Sequence, residues 1–213
     1  MAKRIPDLLT LYPGFIADTA DGVITYDISA DTTKASTVAN LIPSGINGVL
    51  YKVLSSNDAG GGNVNTAQPW FPTTGAVTVA STKTYVFEGY LRTSRSAGTT
   101  SHTTSLLFGG TATLTSIAYR AIVNTGDVVT NAAVNQTAIE VATATIVKAA
   151  SISASEQTSV QVKGIVRINA GGTLIPQFKY DVAPGGAPTV LSNSNFILYP
   201  IGTNTVTTSG TWA

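Results

Sequence analysis

The sequence predicts an all-β chain: an antiparallel jelly-roll or β-sandwich domain behind a small N-terminal segment. Three observations carry this. β-Branched residues are abundant while strong helix formers are scarce. Runs of four to eight residues are punctuated by Gly, Asn, Ser and Pro. Period-two alternation of apolar and polar residues recurs from Thr84 onward. The 213 residues are 43% hydrophobic and 11% charged, so the chain is built to bury surface and is not disordered by charge. Its length suits one main domain with a small appendage.

Taken in order, residues 1–45 form the N-terminal segment. Ile5-Pro6-Asp7-Leu8 opens it, Asp21 to Ser29 reads as a strand, and Thr32 to Leu41 as a helical turn or two. That is too little core to fold alone. The boundary is expected near Ser44 to Gly48, followed by a linker and first strand over 46–75 that contains the loop Ala59-Gly60-Gly61-Gly62-Asn63.

The sandwich is expected over 76–202. Thr84 to Thr93 places Tyr85, Phe87, Gly89 and Leu91 on one face. Ser105 to Phe108 and Thr111 to Val123 follow, the latter with Ile117, Tyr119, Ala121 and Val123 sharing a face. Asn124 to Ala138 reads as loop or helix, and Ile139 to Val147 resumes the strand pattern. Val160, Val162, Gly164, Val166 and Ile168 make one face of a half-buried strand, and Leu174 to Val182 the next, joined by Ala170-Gly171-Gly172-Thr173 as an antiparallel hairpin. Pro176 has no amide hydrogen, so its strand belongs at a sheet edge or carries a bulge there. Phe196 to Ile201 closes the head, with Phe196 and Leu198 opposite Ile197 and Tyr199, and 203–213 is a polar tail.

The composition removes several classes of function. With no cysteine there is neither a disulfide framework nor a thiolate metal site, and one histidine makes no metal cluster. Twelve Lys and Arg against eleven Asp and Glu leave no basic footprint for nucleic acid. No apolar run is long enough for a membrane helix, and the N-terminus lacks a secretory signal pattern. No cofactor is expected. Gly60-Gly61-Gly62 lacks the Lys-Ser/Thr of a phosphate loop, and Asp27 and Asp31 lack the rest of a calcium loop.

No catalytic residue is expected either. His102 lies in a hydroxyl-rich stretch, but its neighbours Ser101 and Thr103 point to the opposite face of a strand. Glu88, Glu140 and Glu156 stand isolated in sequence. Only subunit boundaries, by gathering copies of His102, Glu88 or Asp127, offer a route to a site. His102, Ile197 and Tyr199 are therefore candidates for a subunit interface in a homotrimer, because Phe196 to Tyr199 is apolar on both faces. Trp70 and Trp212, in Pro- or Thr-rich context, are candidates for partner contact, and Ile5, Pro6, Leu8, Tyr26 and Leu41 for anchoring.

Two stretches resemble known proteins. Arg4 to Leu8, Asp21-Gly22-Val23-Ile24-Thr25-Tyr26-Asp27-Ile28-Ser29 and Thr32 to Leu41 resemble the leader of tailed-bacteriophage appendage proteins. The stretches Ser101-His102-Thr103, Phe108-Gly109-Gly110-Thr111-Ala112-Thr113, Val162-Lys163-Gly164, Asn169 to Phe178 and Ala183-Pro184-Gly185-Gly186 are similar to a module of phage structural proteins. The resemblance implies a virion-attachment segment and a trimeric, tumour-necrosis-factor-like jelly-roll head. It implies a non-enzymatic virion protein, either a capsid decoration (cement) protein or a short neck or tail appendage. The alternative is a receptor-binding tail-fibre module for a host surface glycan. The implied partners are the chain itself, other virion proteins and such a glycan.

Overall fold

A computed structural model of the chain describes residues 22–27, 32–37, 48–130, 133–205 and 211. The chain divides into two compact units, 1–48 and 49–213. In the first, β1 (Gly22–Asp27) pairs antiparallel with β2 (Thr32–Thr37), Gly22 opposite Thr37 and Asp27 opposite Thr32. The helical turn expected at Thr32 is thus a strand through Thr37, in keeping with its three β-branched threonines. Ile5, Pro6, Leu8 and Leu41 lie outside the described residues, and Tyr26 takes part through its backbone in β1.

The second unit is an antiparallel β-sandwich, as the alternation predicts, with no α-helix among the described residues. Its strands are β3 (Leu50–Val53), β4 (Gln68–Pro69), β5 (Val77–Val79), β6 (Lys83–Arg95), β7 (His102–Gly109), β8 (Thr113–Asn124), β9 (Val134–Ile139), β10 (Thr145–Ser151), β11 (Glu156–Ala170), β12 (Gly172–Tyr180), β13 (Thr189–Val190) and β14 (Asn195–Thr203). One sheet has seven strands in the order β3-β14-β6-β11-β8-β9, with β13 on β6. The other has five, β10-β7-β12-β4, with β5 on β12.

The core forms where the sheets face each other. Tyr85, Phe87 and Leu91 from β6, Ile117, Tyr119, Ala121 and Val123 from β8, Val160, Val162, Val166 and Ile168 from β11, and Phe196 and Leu198 from β14 are all buried there. From the other sheet come Leu106, Val147, Leu174, Phe178 and Tyr180. Strands β8, β11, β12 and β14 bury the parity that their sequence alternation marks, while β7 and β10 bury consecutive residues.

Three expectations need correction. The strands flanking Gly171-Gly172 do not form a hairpin: β11 pairs with β6 and β8, while β12 pairs with β7, β4 and β5. The glycines are a corner where the chain crosses between sheets. A Cβ on Gly171 would sit 2.9 Å from the Val79 carbonyl oxygen, and one on Gly172 2.7 Å from Thr111 Oγ1, so the crossing needs bare backbone. The loop or helix expected over 124–138 contains strand β9. The run Ile139 to Val147 is broken, since β9 ends at Ile139 and β10 begins at Thr145 in the other sheet.

Pro176 sits beside a gap. On that side β12 pairs with β5 only at Gly172–Leu174 and with β4 only at Gln177–Phe178, so the missing amide hydrogen falls where the ladder is interrupted. Its carbonyl accepts from the Trp70 amide at 2.9 Å.

Trp70 corrects another expectation: it is 1% exposed, edge-on to Phe196 at 5.8 Å, and not a partner contact. Gly89 makes room for it, because a Cβ there would lie 2.8 Å from both the Trp70 and Phe196 rings. Trp212 lies outside the described residues. Gly89→Ala is expected to overpack this cluster and cost about 1–3 kcal/mol in denaturant unfolding. Gly126→Ala, whose Cβ would meet nothing within 4 Å, is expected to stay within about 0.5 kcal/mol of the parent.

Candidate functional site

The inner parity of β6 and β11 continues past the apolar core into charge. Leu91 and Thr93 lead to Arg95, and Val160 and Thr158 lead to Glu156, directly opposite Arg95 in register. From the facing sheet β7 brings His102 and β10 brings Lys148 to the same place. Glu156 accepts from Lys148 Nζ at 2.7 Å through Oε1, and from Arg95 Nη2 at 3.1 Å and His102 Nε2 at 2.9 Å through Oε2. Lys148 Nζ also donates to Thr158 Oγ1 at 3.0 Å. Arg95 Nη2 donates to the Ser153 carbonyl at 2.7 Å, and Nη1 to those of Ala97 and Gly98.

Glu156 is therefore not isolated, and His102, 1% exposed, is not at a subunit interface. Enclosed within one chain, it cannot meet copies of itself on a symmetry axis. Sequence separation hid the cluster, yet its signal was present: Arg95 and Glu156 extend the buried parity of their strands, and inward charges on two core strands need partners.

The chemistry of the cluster follows from its hydrogen bonds. His102 Nδ1 faces the Thr100 carbonyl at 2.8 Å, and Nε2 faces a carboxylate. Both ring nitrogens are thus engaged within the fold. The Tyr180 ring stands edge-on to the imidazole at 5.0 Å and closes that side. A histidine and a carboxylate do meet within one subunit, contrary to the expectation, but as a closed structural clamp between the two sheets. Among the described residues no group of three or more His, Asp or Glu is placed to hold a metal ion.

Burial alone would push the Glu156 carboxyl up, but the Lys148 ammonium, the Arg95 guanidinium and His102 together hold it below its ordinary value of 4.5. A carboxylate lowered in the folded state stabilises fully above its ordinary value, and that contribution is lost as the pH falls below it.

The outer face of the seven-stranded sheet is the second feature. Cross-strand register arranges it in ranks. One runs Val53, Asn195, Tyr90, Gln161, Ile122, Gln136, and the next Tyr51, Ile197, Glu88, Lys163, Arg120, Ala138. A third, Tyr199, Val86, Ile165, Ala118, contains no polar residue apart from the tyrosine hydroxyl. Ile197 and Tyr199, expected at a subunit interface, are half-buried members of this face, beside exposed Tyr51, Tyr90 and Ile165.

At its centre Lys163 Nζ donates to Glu88 Oε1 at 2.6 Å, a bond that raises the lysine above its ordinary value. The sixteen positions of these ranks, with strands about 4.8 Å apart and ranks about 6.8 Å apart, span roughly 500 Å² in projection. That is within reach of the roughly 800 Å² of accessible surface each partner gives to a standard interface.

Comparison with known proteins adds little. No family model and no curated protein matches the chain. A structure of the Gx strain of infectious bursal disease virus aligns over 85% of this chain and 46% of its own, at 10% identity and a TM-score of 0.16. The T13 particle of the same virus aligns over 85% and 45%, at 10% identity and 0.11. The chain thus spans less than half of either viral chain, and a likeness this slight leaves function to be argued from the chain's own residues.

Glu156→Gln is expected to leave Lys148 and Arg95 facing a neutral amide beside His102 and to lower stability by about 3–5 kcal/mol at pH 7. In the parent, chemical denaturation should show stability falling as the pH drops below 4.5. In the variant, that part of the pH dependence should be gone.

Proposed function

We propose that the chain is a non-enzymatic structural protein of a bacteriophage particle, a capsid decoration or short neck or tail appendage. It binds the particle through its N-terminal unit and associates with itself through its second unit. The observation that carries this is the outer face of the seven-stranded sheet. A single chain leaves Tyr51, Val53, Tyr90 and Ile165 in water on it, around the Lys163–Glu88 ion pair. A sheet whose inner face already holds the core gains nothing by displaying a second apolar face unless another surface covers it.

The homotrimer and the virion location rest on the sequence resemblance of residues 4–41 and of the sandwich to phage proteins. Ile5, Pro6, Leu8, Tyr26 and Leu41 are the proposed anchoring residues. The glycan-binding alternative has lost its described aromatic candidate, since Trp70 is in the core.

Light scattering should give three times the 21.9 kDa chain mass at micromolar concentration, and Tyr199→Asp should reduce it to one chain by burying an unpaired charge. A parent that stays at one chain mass would contradict self-association. Mass spectrometry of purified particles with copy counting tests the location. The reading expects the full-length chain on particles and a chain lacking residues 1–48 absent from them, so equal incorporation of the two would sink the anchoring role.

A further inference from the structure

Strand β3 ends the seven-stranded sheet and, among the described residues, pairs only with β14. The Leu54 amide donates to the Ser194 carbonyl at 2.9 Å, and the Leu54 carbonyl accepts from the Asn193 amide at 2.7 Å. Antiparallel alternation therefore turns the backbone groups of Tyr51 and Val53 away from β14, toward the open side of the strand. Edges are ordinarily closed to newcomers by proline, a bulge or an outward charge. Leu50–Val53 has neither proline nor register shift, and its lysine, Lys52, is turned to Thr74 and the Phe71 ring.

Beside this edge a cleft of about 130 Å³ opens between the two sheets, lined by Leu50, Phe71, Val77, Pro176, Phe196 and Leu198. An apolar cavity of about 150 Å³ holds a benzene ring, so the cleft has room for one aromatic ring entering from outside. An open edge next to an apolar pocket is how a sheet takes up an extended segment: the backbone lengthens the ladder and one side chain fills the pocket.

The sequence supplies a segment of that kind. Val206-Thr207-Thr208-Ser209-Gly210-Thr211-Trp212-Ala213 is uncharged and rich in β-branched residues, and a period of two places Val206 and Trp212 on one side. The path into it leads away from β3 of the same chain. The Asn204 amide donates to the Thr82 carbonyl at 3.0 Å, Asn204 Nδ2 donates to Thr115 Oγ1 at 3.3 Å, and the Thr205 carbonyl accepts from Arg167 Nη2 at 2.9 Å. These bonds carry the backbone from β14 past the start of β6 toward β11 and β8, on the side of β14 opposite β3. Trp212, seven residues beyond Thr205, reaches at most about 25 Å. The way back to the open edge of its own β3, four strand spacings across and six residues along, is a diagonal of roughly 28 Å.

We propose that residues 206–213 of one copy pair with the open edge of β3 in the next, with the Trp212 ring in the cleft. This rests on the self-association proposed above and adds the segment that joins the copies. The contact is heterologous, and it closes into a ring when the rotation between copies fits.

The test mixes two full-length variants. Trp212→Ala removes the inserted ring, and Val53→Pro removes an amide that faces away from β14 and so spares the existing ladder. Each alone should run as one chain by light scattering, and Val53→Pro should keep the parent's cooperative melt. Their equimolar mixture should form a species of two chains and no larger, because one intact segment and one intact edge remain between them. If Trp212→Ala keeps the parent's mass, or the mixture stays monomeric, the contact is wrong. A monomeric parent would instead remove the self-association reading itself. Should Val53→Pro disturb the melt, the absence of cysteine from the chain permits a direct check with the double variant Ala76→Cys/Thr211→Cys, since Ala76 is exposed at the cleft. Oxidation is expected to link separate chains into species of two and three. A disulfide within one chain, or none, would equally overturn the contact.

Discussion

An antiparallel sheet has two faces, and this chain has too few charges to give either of them to water. With 11% charged residues, the alternation that builds the core through Phe87, Tyr119, Val162 and Phe196 places Val86, Ile165, Ile197 and Tyr199 on the other side. The period of two fixes this: every residue sent inward sends its neighbour outward. In a solitary domain the outward set would be Lys, Glu and Thr. Here tyrosine and aliphatic residues share it with Gln161, Arg120 and the central Lys163–Glu88 ion pair. The exposed apolar residues of the outer face are thus a consequence of how the core is written into the strands.

At one end of the sandwich the same inward parity delivers charge. Glu156 joins β11 to Arg95 on β6 within its own sheet, and to His102 on β7 and Lys148 on β10 across the core. Such a cluster adds little net stability over a well-packed apolar core, because its ions are desolvated. Removing one member, however, leaves the others uncompensated. Its effect is alignment, since the two sheets meet correctly at that end only when all four side chains converge. Arg95 extends the clamp to the 97–98 turn and the Ser153 carbonyl, so the connections there are held as firmly as the strands.

Strand parity was legible from sequence because it depends only on neighbours: the inward and outward sets of β6, β8, β11 and β14 follow from alternation alone. Strand pairing was not. Gly171-Gly172 has the composition of a hairpin turn, and only the close approach of Val79 and Thr111 shows that it is a corner between sheets. Trp70 misled because its Pro-rich surroundings look like a surface loop, while the space it fills is made by Gly89, nineteen residues away on another strand. The Glu156 cluster joins residues up to 61 positions apart, a juxtaposition created by register.

The buried side chains of Arg95, His102, Lys148 and Glu156 are occupied with one another, and the outer face of the seven-stranded sheet leaves Tyr51, Val53, Tyr90 and Ile165 exposed. Hydroxyl-radical footprinting of the full-length chain addresses the central claim most directly, because its tyrosines divide into core and face. Tyr119 and Tyr180 are buried in the fold, while Tyr51 and Tyr90 are open to solvent in a single chain. The account predicts that at assembling concentration Tyr51 and Tyr90 are protected nearly as well as the core pair, and that dilution exposes them while Tyr119 and Tyr180 stay protected. Labelling of Tyr51 and Tyr90 at the same high rate at every concentration would contradict it.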